Sequence, residues 1–229
     1  MRMLPFSLTA ALFAAPLLSA ADEPKFAERL ADSATLLSEV MSTPDKSIPQ
    51  DLLNKSACIV LVPGLKKGAF VVGAKYGRGF AICRAAGGQG WGAPAAITIE
   101  GGSFGLQIGV SSSDVILLVM NERGMRKLSS DKFTIGADAT AAAGPVGRNA
   151  TAQTDAMMTA EILSWSRSRG AFIGASLDGA TLRSDMDQNE AMYGKRWTSA
   201  QILGSGATPP AAATKLLDLL TKYSMRKVG

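Results

Sequence analysis

The sequence predicts an α+β fold, a largely antiparallel, glycine-rich β-sheet or barrel flanked by N- and C-terminal amphipathic helices. Three observations lead there. Apolar residues recur at helical spacing near both ends of the chain. The middle breaks into short β-like runs separated by glycine. One of those runs, residues 115–120, is apolar on both faces and reads as a central buried strand. Glycine numbers 24 in 229 residues, above the usual ~7%, and in strand-rich chains it marks turns, bulges and close backbone approaches. A chain of this length buries roughly 70% of its unfolded surface, so a full core is expected.

Taken in order, Met1-Arg2 gives a positive start, residues 3–18 form a short apolar run, and Ser19-Ala20-Ala21 offers small residues for cleavage. Residues 1–21 therefore read as a secretory signal peptide, leaving a single domain at residues 22–229. Ala21 stands where a lipoprotein leader would carry its acylated cysteine, so no lipid anchor is expected. No later stretch has the length and apolar character of a spanning helix. The expected location is periplasmic or secreted, peripheral to a membrane. Over residues 25–41, Phe26, Leu30, Leu37 and Met41 make an amphipathic helix widened by Ala27, Ala31 and Ala34, and Pro44 ends it. A short helical turn is expected at 50–55. Strands follow at 57–62, 69–76, 79–84, 95–100, 104–110, 115–120, 160–166 and 171–177. Asn121 caps a helix reaching 128, another covers 185–193, and the last, 211–227, carries Leu216, Leu219, Leu220 and Tyr223 on one side.

Composition narrows the chemistry. Histidine is absent and there are only 2 cysteines, which removes Ser-His-Asp and Cys-His nucleophiles, histidine acid–base catalysis and the usual structural zinc sites. No catalytic residue, metal or cofactor is expected. The formal charge is +5, and losing Arg2 with the leader lowers it by one. That balance favours anionic surfaces without approaching a nucleic-acid-binding profile. Cys58 and Cys83 lie in two apolar segments. Export permits a disulfide between them, and the alternative is two small buried hydrophobes.

Several motifs fail on inspection. Gly101-Gly-Ser-Phe-Gly105 matches the nucleophile elbow of hydrolases, but Ser103 has no histidine to take its proton and the run continues as strand. Two Ser-x-x-Lys runs lack the companion motifs of penicillin-interacting enzymes. The stretch from Asp185 begins like a calcium loop, yet Glu190 stands where glycine must turn and Arg196 where a bidentate acid is needed; Asp185 is better read as a helix N-cap. More informative are basic clusters at Lys66-Lys67, Arg126-Lys127, Arg167 with Arg169, and Lys195-Arg196. The turn Gly144-Pro-Val-Gly-Arg148 can aim amides and a guanidinium at an anion. From 211 to 229, Lys215, Lys222, Arg226 and Lys227 outweigh Asp218 beside a leucine stripe, a pattern shared by interfacial helices and by helices packed on a sheet.

The ordered set Tyr76-Gly-Arg-Gly79, Trp91-Gly-Ala-Pro94, Gly105-Leu-Gln-Ile-Gly109, Asn121, Gly136-Ala-Asp138, Ala143-Gly-Pro-Val-Gly-Arg148, Ser166-Arg-Ser168, Gly170-Ala-Phe-Ile-Gly174 and Tyr193-Gly194 resembles the SYLF domain family. The resemblance runs from the first amphipathic helix to about Gly194. It implies a non-enzymatic, lipid-binding domain; eukaryotic relatives bind phosphoinositides and other acidic lipids, partly through an N-terminal amphipathic helix, and some bind actin. This chain departs in two respects. Its first helix sets Lys25 and Arg29 against Glu28, Asp32 and Glu39, a net −1, so Phe26, Leu30 and Leu37 would have to contribute by apolar insertion. The leader also places it where actin is not an expected partner.

The resulting expectation is an exported, non-enzymatic protein that binds anionic phospholipid headgroups at the bacterial envelope. Arg148 is the foremost phosphate contact, with Arg167, Arg169, Lys66 and Lys67 as further cationic contacts and Phe26 and Leu30 as apolar ones. The alternative expectation is an envelope interaction protein that binds a protein partner or self-associates through glycine-rich strand edges, without direct lipid recognition.

Overall fold

Helix α1 (Lys25–Ser42) buries Leu30, Ala34, Leu36, Leu37 and Val40 along one side, and that stripe fixes how the layers stack. The computed structural model describes residues 25–43, 47–70, 72–85, 87, 90–104, 109–130, 132–146, 159–168, 171–174 and 177–224. After α1 come α2 (Gln50–Lys55), β1 (Cys58–Phe70), β2 (Val72–Cys83), β3 (Ala95–Phe104), β4 (Gly109–Val119) and α3 (Glu122–Leu128). The chain continues through β5 (Lys132–Thr134), β6 (Ala141–Ala143), β7 (Ile162–Ser168), β8 (Ala171–Gly174) and β9 (Thr181–Ser184). It ends with α4 (Met186–Tyr193), α5 (Ser199–Ser205), a 3-10 turn (Ala211–Ala213) and α6 (Thr214–Tyr223). The α+β class is as the sequence predicts.

The strands form one sheet in the order β5-β9-β3-β2-β1-β4-β7-β6, with β8 pairing the same edge of β7 as β6. Every pair is antiparallel except β6 with β7. Because side chains alternate along a strand, each face carries its own core. The outer face places Ile59, Leu61, Phe80, Ile82, Ile116, Leu118 and Trp165 beneath α1, α2 and α6. The inner face gathers Val60, Val62, Leu65, Ile97, Ile99, Val115 and Leu117 with Phe133 of β5, Leu182 of β9 and Ile162 of β7. Strands from both ends of the sheet meet in that second cluster, so the sheet curls into a half-barrel.

Three expected strands merge into two. Residues 57–62, 69–76 and 79–84 were separated by glycine and proline, but the structure absorbs Pro63-Gly64 as a bulge inside β1, where the register to β2 and β4 shifts. Gly64 takes φ 63 there, a left-handed geometry that glycine adopts without a Cβ penalty. Gly77, between the expected strands 69–76 and 79–84, lies inside β2 instead of in a break. The helices largely match their expected bounds: Asn121 accepts the Gly124 N–H at 2.9 Å, and Asp185 accepts the Gln188 N–H at 3.2 Å. Three strands escaped the sequence, β5, β6 and β9, since 3 or 4 residues are too few to show a period. Helix α5 also escaped, although its capping box, Thr198 with Gln201, is a readable signal.

Cys58 and Cys83 face each other across β1 and β2 and are joined by a disulfide. Both are buried on the inner face. No helix of the described residues is long and apolar enough to cross a membrane.

Candidate functional site

Beyond the bulge, β1 leaves the two cores and carries Lys66 and Lys67 into solvent. Successive strand residues point to opposite faces. Lys66 aligns with Tyr76 of β2 and Ser112 of β4; Lys67 aligns with Lys75 and Ser111. Since Leu65 belongs to the inner core, Lys67 and Lys75 share the inner face, and Lys66 and Tyr76 take the outer one. Lys75 Nζ donates to the Asp178 carbonyl at 3.5 Å. Burial pulls the Lys75 ammonium below its ordinary value, and neighbouring Lys67 lowers it further. Among the described residues, no carboxylate forms an ion pair with Lys66 or Lys67. The acid nearest in register, Glu100, is held by Arg183 at 2.6 Å. This end of the sheet therefore presents Lys66 on one face and Lys67 with Lys75 on the other, Asp178 acting on Lys75.

The other expected cations are placed differently. Arg167 points to the groove between α1 and the sheet. It donates Nε and Nη2 to Asp114 Oδ2 at 2.9 and 2.6 Å, and Nη1 to Glu39. Burial acts to lower its pKa, but the hydrogen bonds that it donates to Glu39 and Asp114 outweigh that and raise it. Its charge is balanced within the fold. The groove has a volume of about 290 Å³ and is lined by Asp32, Thr35, Leu36, Glu39, Pro63, Gly64, Asp114 and Arg167. Three acids against one base make it a poor phosphate site. Arg148 and Arg169 lie outside the described residues.

The apolar candidates on α1 are turned inward. Leu30 is 0% exposed, Leu37 lies in the same cluster, and Phe26 packs partly buried against it. The physical reason is that the outer face of the sheet needs a cover, and the apolar stripe of α1 supplies it. Insertion of that stripe into a bilayer would require α1 to leave the sheet. Arg29 on the same helix donates to Gln188 Oε1 at 2.8 Å. Of the run 101–105, Gly101–Phe104 belong to β3, which places Ser103 within a strand. Among the described residues no acidic or cysteine cluster is placed to hold a metal ion.

The profile of the Ysc84 family, described as Las17-binding protein actin regulator, matches residues 100–223. The chain is 33% identical over 183 residues to SH3 domain-containing YSC84-like protein 1 of Xenopus laevis, covering 79% of this chain and 54% of the relative. It is 31% identical over 182 residues to the human protein of that name, covering 79% and 53%. Protein YSC84 of Saccharomyces cerevisiae is 31% identical over 179 residues, covering 77% and 38%. The chain belongs to the Ysc84/SYLF family. It spans about half the length, or less, of these relatives.

Several residues of the motifs on which the resemblance rests build the fold. The Arg84 guanidinium lies over the Trp91 ring, 4.1 Å from the ring centroid, and Trp91 donates Nε1 to Ser224 Oγ at 2.9 Å, tying the connection between β2 and β3 to the end of α6. Gly144 lies flat on Trp165: a Cβ there would stand 2.1 Å from the ring. Asp138 accepts the Thr134 N–H at 2.7 Å. Tyr193 donates its hydroxyl to the Pro94 carbonyl at 2.6 Å, and burial raises its pKa. Lys75, Val110 and Asp114 were missed by sequence reasoning. Lys75 stands alone between an alanine and a tyrosine, and only strand register brings it beside Lys67.

Proposed function

We propose that this chain is an exported, non-enzymatic Ysc84-family domain that binds anionic phospholipid headgroups at the bacterial envelope. The observation that carries the reading is the cluster of Lys66, Lys67 and Lys75 on the extended end of the sheet, where Lys66 and Lys67 have no acidic ion-pair partner among the described residues. Each lysine near an anionic surface contributes about 1 kcal/mol. Three give weak, reversible attachment that salt screens over a Debye length of roughly 8–10 Å. The family description, Las17-binding protein actin regulator, refers to binding and regulation, as does the name of one yeast relative, LAS seventeen-binding protein 3.

The test is co-sedimentation of residues 22–229, which contain every described element, with neutral and anionic vesicles across a salt series. Binding to anionic vesicles alone, lost as salt rises, is expected. Replacing Lys66 and Lys67 together by alanine should weaken it about thirtyfold. Equal sedimentation with neutral vesicles, or none with either, would defeat the reading.

A protein partner is the second reading, favoured by the family's description as Las17-binding and by the outer edges of β3 and β4 beyond Glu100 and Asp114, which pair with no strand among the described residues. Actin is not expected for an exported chain. Salt-insensitive capture of a protein by residues 22–229, with vesicles unbound, would favour this reading.

A further inference from the structure

Four strands, in the order β4-β1-β2-β3, run past the point where their neighbours stop. Pairing of β7 with β4 ends at Asp114, and pairing of β9 with β3 ends at Glu100. What extends is a four-stranded tongue whose rows follow from the register. The row Ser112, Lys66, Tyr76, Glu100 is followed by Ser111, Lys67, Lys75, Gly101. Next come Val110, Gly68, Ala74, Gly102, then Gly109, Ala69, Gly73, Ser103, and finally Phe70, Val72, Phe104. The last three rows hold no charged residue, and Val110 is 86% exposed. From the Lys67 row to the Phe70 row the tongue advances about 10 Å at the usual strand rise.

We infer that this tongue is the element that enters the membrane, with its last three rows in the interfacial layer and the lysine rows at the level of the phosphates. The inference rests on the headgroup reading proposed above. The uncharged length matches the roughly 5–10 Å to which peripheral elements bury their apolar surface. Lysines on both faces suit a bilayer that surrounds the tongue, whereas a second copy of the chain would meet like charge. Tyr76, 46% exposed beside Lys66, places an amphipathic ring at the same level, where such rings favour the boundary. Strands β1 and β2 are paired on both sides, so among the described strand residues of the tongue it is the outer edges of β3 and β4 that lack a ladder partner. Unpaired groups are costly in hydrocarbon, which confines the tongue to the hydrated interface. Helix α1 is not needed, and its apolar stripe stays on the sheet.

The experiment attaches an environment-sensitive fluorophore at Val110→Cys, at Glu28→Cys on α1 and at Asp51→Cys on α2, each in residues 22–229, and adds anionic vesicles with and without brominated acyl chains. A blue shift and bromine quenching at position 110 are expected, with positions 28 and 51 unchanged. Separately, Val110→Asp should weaken vesicle binding roughly tenfold or more, and near-UV circular dichroism checks that the exposed substitution leaves the fold intact. If the parent binds anionic vesicles but position 110 stays in water, or the aspartate binds like the parent, the insertion is overturned while headgroup recognition stands. A signal at position 28 in place of 110 would assign entry to α1 and overturn it too. Absence of any vesicle binding by the parent removes both.

Discussion

Asp114 accepts the backbone N–H of Gly64 on Oδ1 at 2.9 Å, at the bulge that redirects β1. Its other oxygen holds Arg167. One carboxylate on β4 thus fixes the bend that starts the tongue and links it to β7 and, through Glu39, to α1. The bulge is a built joint, with a left-handed glycine, a shifted register and a side chain that satisfies the exposed amide.

Replacing Asp114 by asparagine keeps an acceptor for Gly64 but removes the charge facing Arg167. The loss of charge-assisted hydrogen bonds should cost about 2 kcal/mol of stability, read as a lower midpoint in urea denaturation. Alanine should cost more, because the Gly64 amide also loses its partner. Equal midpoints for parent and alanine variant would mean the bulge is held by strand pairing alone.

The disulfide closes a sequence separation of 25 between directly paired residues. Loop-closure entropy assigns such a crosslink about 3 kcal/mol. Substituting both cysteines by alanine should lower stability by that order while leaving the far-ultraviolet spectrum intact, since Ile59↔Ile82 and the pairs beyond continue the ladder. Reduction of the parent by dithiothreitol should reproduce the shift, and the double variant should not respond to the reductant.

At Gly144 the constraint is space. Its N–H donates to the Ser164 carbonyl at 2.8 Å, pressing the backbone onto the ring of Trp165, which donates Nε1 to the Pro145 carbonyl at 2.9 Å. Gly144→Ala must displace the ring or break the pairing. Overpacking of this kind costs typically 1–3 kcal/mol. Near-UV circular dichroism should report the moved indole, and an unchanged spectrum with unchanged stability would contradict the close approach.

Elements with a long period were legible in the chain. Helix α1 announces itself through Leu30, Leu37 and their neighbours, and β4 through its apolar run. Punctuation misled where glycine served packing: Gly77 falls between two expected strands, yet it lies inside β2, and a Cβ there would stand 2.7 Å from Leu65 Cδ1 and 2.8 Å from Val62 Cγ1, so the residue keeps β1 and β2 close. Charge type was visible in Lys66-Lys67, but availability was not. Arg167 looks as free as Lys67 in sequence, and only the fold brings Asp114 and Glu39 to it. Equally, amphipathicity in α1 says that one face is apolar without saying whether sheet or lipid covers it.

Lys75 offers a pH signature for the tongue. Its pKa lies below the ordinary lysine value, first because it is partly buried and next because Lys67 stands beside it, with Asp178 opposing. The folded chain therefore holds this proton less tightly than the unfolded chain, and between the two pKa values stability rises with pH. Anionic lipid works in the opposite direction, favouring the charged form, so vesicle binding should fall as pH rises through the lowered pKa, before a solvated lysine would titrate. Lys67→Ala removes the adjacent charge and should move the Lys75 titration, followed by side-chain NMR, toward higher pH. The alkaline limb of vesicle binding should move the same way, although binding at neutral pH is weaker by about fivefold for one lost lysine. A Lys75 titration that ignores the substitution would show that the two ammonium groups do not share the inner face of the tongue.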